Sequence, residues 1–140
     1  MSTVVERSMV AIVDDDKAVC RAIVRLVMSA GLESEVFSSA EEFLRSSLNR
    51  RPDCLILDLR LPGMSGLELQ QQLATGHCRT PIVFLSAQID PASRLQALQS
   101  GAIAFLAKPF NDEALLEAVH SAMRQEHRIE DQHKSGYNEE

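Results

Sequence analysis

Several kinds of residue and pattern are scarce in this sequence, and each scarcity narrows the field. Cysteine occurs three times in 140 residues. Cys20, Cys54 and Cys78 show neither paired spacing nor a Cys-x-x-Cys motif, which argues against a disulfide framework and for reduced thiols serving as small apolar filler. Positive charge is in deficit: 14 Lys and Arg against 20 Asp and Glu leave a net charge of -6, so no basic surface for nucleic-acid phosphates is expected. No apolar run approaches the roughly 18 to 20 residues that span a bilayer. The first eight residues carry Glu6 and no apolar core of the signal-peptide kind. A cytoplasmic protein with no membrane association is the expectation. His77, His120, His127 and His133 lack metal-ligand spacing and read as surface residues.

What the sequence does contain is a series of short apolar runs. With 45% hydrophobic residues, the chain can build one domain with a sizeable core. Met9 to Val13 is the first run and leads into Asp14, Asp15 and Asp16. Glu35 to Phe37 is a weaker second. Cys54 to Leu57 is the third, introduced by Pro52, closed by Asp58 and broken at Pro62-Gly63; Ile82 to Leu85 is the fourth, closed by Ser86; Ile103 to Leu106 is the fifth, leading into Lys108-Pro109-Phe110. Runs of this length bounded by turn residues read as buried parallel strands.

Helical spacing fills the gaps. Val19, Ile23, Leu26, Val27 and Ala30 form a stripe over about 17 to 30, with Asp16 as cap and Gly31 as stop. Ser39 and Glu42 have capping-box spacing ahead of a helix to about Asn49. Leu67, Leu69, Leu73 and Ala74 support a helix ending near Gly76, and Asp90-Pro91 opens one that ends at Gly101. Asn111 caps a last helix striped by Leu115, Leu116, Val119, Ala122 and Met123. Five strands alternating with five helices predict an α/β fold, a doubly wound parallel sheet covered on both faces. Residues 9–125 form the expected domain. Residues 126–140 are polar and read as a tail, either a helix extension or the start of a linker.

The chemistry-bearing residues close different strands: Asp14 and Asp15 after the first, Asp58 the third, Ser86 the fourth, Lys108 the fifth. In the flavodoxin-like strand order 2-1-3-4-5 the ligand crevice opens between strands 1 and 3, beside both acid groups. Packed carboxylates repel by about 1 kcal/mol per pair at 4 Å even in water. A hard divalent cation removes that repulsion, and few carboxylates plus water suit Mg²⁺ (magnesium) better than calcium. Asp58 then has an oxygen able to attack phosphorus, with Lys108 as a point charge and the Ser86 hydroxyl as a donor to the phosphoryl oxygens.

Taken together, Val13-Asp14-Asp15, Leu57-Asp58 with Pro62-Gly63-Met64 and Gly66, Leu85-Ser86-Ala87, Gly101-Ala102 and Lys108-Pro109-Phe110 resemble the response-regulator receiver domain of bacterial two-component signalling, the CheY-like family. The resemblance covers about 10 to 123. It implies that Asp58 is the phosphoacceptor, and that Asp14, Asp15, Asp58 and the Arg60 backbone carbonyl bind Mg²⁺. It further makes Lys108 the phosphate-pairing lysine, Ser86 and Phe105 the switch residues, and the Lys108-Pro109 peptide cis. The implied partners are a sensor histidine kinase or phosphotransfer protein, docking beside the first helix, and a phosphorylation-dependent second copy. Arg60 and Gln88 occupy positions that tune phosphoryl lifetime in this family.

The implied output is a repacked face of helix 4, strand 5 and helix 5, with Phe105 filling the space that Ser86 leaves. The style of the closing segments resembles receivers attached to helix-turn-helix output domains, so DNA would be reached only through a domain absent from this chain. Two other readings compete. A haloacid-dehalogenase-like phosphohydrolase would use Asp14 as nucleophile, with Ser86 and Lys108 assisting, but only one helix follows Lys108 where that family needs a further acidic pair. A receiver-like interaction module without phosphorylation would leave the acids idle.

Overall fold

The computed structural model describes residues 7–46, 51–88 and 90–135, with side chains as far as Gln125. Five strands, β1 (Met9–Val13), β2 (Glu33–Phe37), β3 (Cys54–Asp58), β4 (Ile82–Ser86) and β5 (Ala104–Ala107), form one sheet in the order β2-β1-β3-β4-β5. All four pairings are parallel. Five helices connect and follow the strands: α1 (Lys17–Ser29), α2 (Ala40–Arg45), α3 (Gly66–Thr75), α4 (Pro91–Gln99) and α5 (Asp112–Ser135).

The pleat divides the core. Val10 and Ile12 of β1, Cys54 and Ile56 of β3, and Val83 and Leu85 of β4 pack with Ile23 and Val27 of α1 and Leu115 and Val119 of α5. Ala11, Val13, Leu55, Leu57, Ile82 and Phe84 face the other way, toward Ala40 of α2, Leu69 of α3 and Ala97 of α4. Alternation with period two on strands buried on both faces produces two apolar layers from uninterrupted hydrophobic runs. Cys20 and Cys54 belong to the first layer. Burial, helped by the Asp14 charge, pushes the Cys20 thiol up to about 11. Both it and Cys54 act as apolar filler.

Several boundaries moved. β2 begins at Glu33, two residues early, because β1 offers pairing partners from Met9 onward. β5 runs from Ala104, with Ile103 joined to Ile82 just outside it. α2 ends at Arg45, capped by Ser46; Asn49 lies outside the described residues. Ser39 caps α2 as expected, but the Glu42 carboxylate reaches Ser38 rather than the cap residue. The reciprocal capping box is at Ser65 and Glu68, at the start of α3. The segment after Gln125 continues α5 to Ser135, and residues 136–140 lie outside the described part. His77 and His120 are exposed; the side chains of His127 and His133 lie outside the description.

Helices α1, α3 and α4 stop in the same way. The N–H of Leu32, Cys78 and Ala102 returns to Val27, Leu73 and Ala97, and the preceding residue takes positive φ. In α1 and α4 that residue is Gly31 or Gly101; in α3 it is His77, at φ 62°. A side chain with a Cβ carries a steric cost there. His77→Gly should therefore raise stability by about 0.5 kcal/mol, seen as a higher urea midpoint at unchanged slope. A lower midpoint would show that the imidazole makes a stabilising contact.

Candidate functional site

Asp14, Asp58 and Lys108 reach one space because they stand in phase on three strands. Asp14 continues the Val10-Ile12 series of β1, Asp58 the Cys54-Ile56 series of β3, and Lys108 the Ala104-Leu106 series of β5, all of them on the α1/α5 side of the sheet. The backbone fixes each departure. Asp14 N–H donates to the Phe37 carbonyl at 3.1 Å, Leu59 N–H to Leu85 at 2.9 Å, and Lys108 N–H to Ser86 at 2.8 Å. The Lys108-Pro109 peptide is cis.

At the centre, Lys108 Nζ lies 2.7 Å from Asp14 Oδ2 and 3.4 Å from Asp58 Oδ2. Asp14 Oδ1 accepts the Asp16 N–H at 2.9 Å and Asp58 Oδ1 the Arg60 N–H at 3.2 Å. Asp16 itself caps α1 through the amides of Ala18 and Val19. Carboxylate oxygens of Asp14, Asp15 and Asp58 can all lie within 4.8 Å of one another. Asp14 and Asp58 are buried, and Asp15 is exposed. The buried Asp14 Oδ2 accepts no well-angled hydrogen bond and has only the ionic contact with Lys108. That unused acceptor capacity, with an all-oxygen donor set, fits a hard divalent cation.

The electrostatics agree. Burial, reinforced by the Asp14 charge, pushes the Asp58 carboxyl up to about 6, against the opposing pull of Lys108 and the Arg60 amide. Burial pulls the Lys108 ammonium down, but its close contact with Asp14 and the charges of both acids outweigh this and leave it above the ordinary lysine value.

Ser86 and Phe105 belong to the other layer. Ser86 ends the Ile82-Phe84 series, and Phe105 packs with that layer, its ring centroid 6.0 Å from that of Phe84. The fully buried Ser86 hydroxyl is turned to the β4–α4 loop: Oγ donates to the Gln88 carbonyl and accepts the Gln88 N–H at 3.2 Å. Phe105 is already buried, at 8% exposure, in this arrangement. The Arg60 and Gln88 side chains are exposed at the rim.

Two supports of the site come from residues whose role depends on distant neighbours. Gly66 opens α3 against the end of β3, where an added Cβ would collide with the Asp58 carbonyl and approach Leu59 Cα and the Phe84 ring. The motif glycine was visible, but the reason for it was not. Glu41 reaches from α2 to the Met64 N–H, 23 residues away, a contact with no local signal.

A family model described as the response regulator receiver domain matches residues 10–120. The chain belongs to that family, and its fold is the five-stranded receiver fold. It is 44% identical over 119 residues to the response regulator protein TmoT of Ectopseudomonas mendocina, covering 85% of this chain and 54% of the relative. It is 41% identical over 116 residues to nodulation protein W of Bradyrhizobium diazoefficiens, covering 83% and 51%. Among solved structures, response regulator StyR superposes with TM-score 0.82 at 39% identity, over 90% of this chain and 64% of that one. FixJ-N gives 0.77 at 31%, over 86% and 96%. The chain spans about half the length of the curated relatives it matches.

The Asp58 shift has a thermodynamic consequence in metal-free protein. A folded value near 6 exceeds the unfolded value of about 3.9, so between the two the folded state holds the extra proton and stability falls as pH rises. Asp58→Asn removes that loss. Its advantage over the parent should be absent below about pH 4, grow to about pH 6 and stay constant above. Water at the mouth screens part of the repulsion, which sets the gain at about 1–2 kcal/mol. Urea denaturation across that range measures it, and an advantage independent of pH would contradict the electrostatic cause.

Proposed function

We propose that this chain is a phosphorylation-activated receiver whose Asp58 accepts a phosphoryl group from a phosphohistidine, on a sensor histidine kinase or a phosphotransfer protein, in a Mg²⁺-dependent reaction. The observation that carries this reading is the convergence of Asp14, Asp58 and Lys108, with Asp15 in reach, in one pocket of a receiver fold. Residues 9–125 form the receiver and 126–140 a connecting segment. The relatives extend well beyond the matched region, and one of them, E. coli NtrC, is named as a DNA-binding transcriptional regulator. A DNA-binding output domain in a longer regulator, in the cytoplasm, is therefore part of the proposal. Among the described residues no helix is long and apolar enough to cross a membrane.

Asp14, Asp15 and Asp58, with the Arg60 carbonyl, would hold the magnesium ion. When bound, it supplies positive charge to the carboxylates and to the equatorial phosphoryl oxygens. Asp58 presents a carboxylate oxygen in line with the phosphorus; the O–P bond forms as the P–N bond to histidine breaks, and the electron pair stays on the imidazole. The Lys108 ammonium, already between Asp14 and Asp58, needs only a small movement to pair with a phosphoryl oxygen. Asp58 is ionised above about pH 6, as a nucleophile must be.

The Ser86 hydroxyl then exchanges its Gln88 carbonyl acceptor for a phosphoryl oxygen, which releases the β4–α4 loop. Phe105 is inside already, so its part is to keep that layer filled as the loop moves, and no inward swing from solvent is required. Inverting a two-state population from 1:99 to 99:1 takes about 5.5 kcal/mol, more than one charge-assisted hydrogen bond at about 1.5–3 kcal/mol provides. A partial shift follows, completed when the repacked α4–β5–α5 face pairs with a second copy or an output domain.

The test is intact mass after treatment with acetyl phosphate and Mg²⁺. One hydroxylamine-sensitive phosphoryl adduct, lost in Asp58→Asn, is expected. An adduct retained in Asp58→Asn and lost in Asp14→Asn, with steady turnover, would instead support the phosphohydrolase. No adduct from any small donor or kinase would leave an inert interaction module. A second expected outcome concerns the switch alone: Ser86→Ala should take up phosphate to a similar yield but lose the phosphorylation-induced change in hydrogen exchange of the β4–α4 loop. An undiminished change would remove Ser86 from the switch.

A further inference from the structure

The chain between β3 and α3 must hold its shape if a backbone carbonyl in it is to serve as a metal ligand. Its first limb is fixed by its own neighbours. Leu59 and Leu61 are buried, Arg60 N–H rests on Asp58 Oδ1 at 3.2 Å, and the Gly66 N–H closes on the Leu59 carbonyl at 3.0 Å. The second limb, Pro62 to Met64, is fixed from outside. Glu41, in the first turn of α2, places Oε2 2.8 Å from the Met64 nitrogen and accepts its N–H. The same oxygen occupies the space beside Gly63, where an added Cβ would come within 2.6 Å of it. Gly63 has φ 73°, so the loop turns around the carboxylate.

Glu41 is not the cap of α2. Ser39 already caps that helix, and Glu42 reaches back to Ser38. The Glu41 carboxyl is held below the ordinary range, first by the Met64 amide and then by its own backbone amide, as expected of a carboxylate engaged as an acceptor. Met64 and Phe43 of α2 also pack against the same apolar layer, so the carboxylate and the two side chains join α2 to the loop.

We propose that Glu41 is a positioning residue of the metal site, a tether that orders the Pro62 to Met64 limb and through it steadies the neighbouring Arg60 carbonyl before a cation arrives. The proposal rests on the reading of Asp14, Asp15, Asp58 and the Arg60 carbonyl as the metal site. Without the tether, the loop has to be ordered at the moment of binding, and that cost is taken from the affinity.

The experiment compares the full chain with Glu41→Ala and Glu41→Gln. Backbone hydrogen exchange is followed by NMR without metal, and Mg²⁺ affinity by calorimetry. In metal-free Glu41→Ala, Met64 and its loop neighbours should exchange faster while the strand amides keep their protection, which also shows that the variant folds. Its Mg²⁺ dissociation constant should rise by about ten-fold, the low end of what losing a ligand's support costs. Glu41→Gln keeps an acceptor oxygen and should restore both properties most of the way. Parent-like exchange and affinity in Glu41→Ala would overturn the tether, as would Glu41→Gln failing as badly as Glu41→Ala. A parent chain that binds no Mg²⁺ at all would overturn the underlying site reading, whereas loop exchange in the metal-free protein judges the tether separately.

Discussion

Two carboxylates that repel each other are held in one half-closed space by a single ammonium, and the functional part of the molecule is arranged around that conflict. Asp14 and Asp58 end adjacent strands on the same side of the sheet, and Lys108 bridges them unevenly, closer to Asp14 than to Asp58. One positive charge offsets only part of two negative ones in a place poor in water. The remaining tension appears on Asp58, whose carboxyl is pushed up to about 6. A site of this kind is stabilised by any added positive charge, and it favours the ionised Asp58 once that charge is present. The same imbalance makes the cluster a fitting place for a hard divalent cation.

The sheet supplies the rest by parity. Residues with the phase of Val10, Ile12, Cys54 and Ile56 look toward α1 and α5, and Asp58 at the end of β3, with Asp14 and Lys108 just past β1 and β5, carries on that phase. Ser86 and Phe105 have the opposite phase and face the layer of α3 and α4. The acid and lysine cluster and the Ser86–Phe105 pair thus occupy opposite sides of one sheet edge. They are joined by short backbone links, of which Lys108 N–H to the Ser86 carbonyl is the most direct. Gly66 lets the start of α3 press on the Asp58 backbone, so the end of β3 sits against packed structure with little slack.

Much of this could be read from the residues. Apolar runs broken by Asp58, Ser86 and Lys108 located the strand ends, and Asp16, Gly31, Gly101 and Asn111 marked helix boundaries through local chemistry that operates within a few residues. What escaped depends on distant neighbours. β2 gained two residues from pairing with β1; the capping box formed at Ser65, with Glu42 diverted to Ser38; and although α3 stops at Gly76 as expected, the left-handed residue is His77, one position further on. The Glu41 contact crosses 23 residues. The pose of Phe105, buried while Ser86 faces Gln88, is a matter of side-chain packing that no periodicity encodes.

If Asp14 and Asp58 share one poorly solvated space under the Lys108 ammonium, a carbon-13 NMR titration of the Asp58 carboxyl in metal-free protein, parent beside Lys108→Met, reads it out. Titration near 6 is expected in the parent, with a clear upward displacement once the ammonium is gone. Titration near the ordinary aspartate value of about 4, unmoved by Lys108→Met, would contradict it.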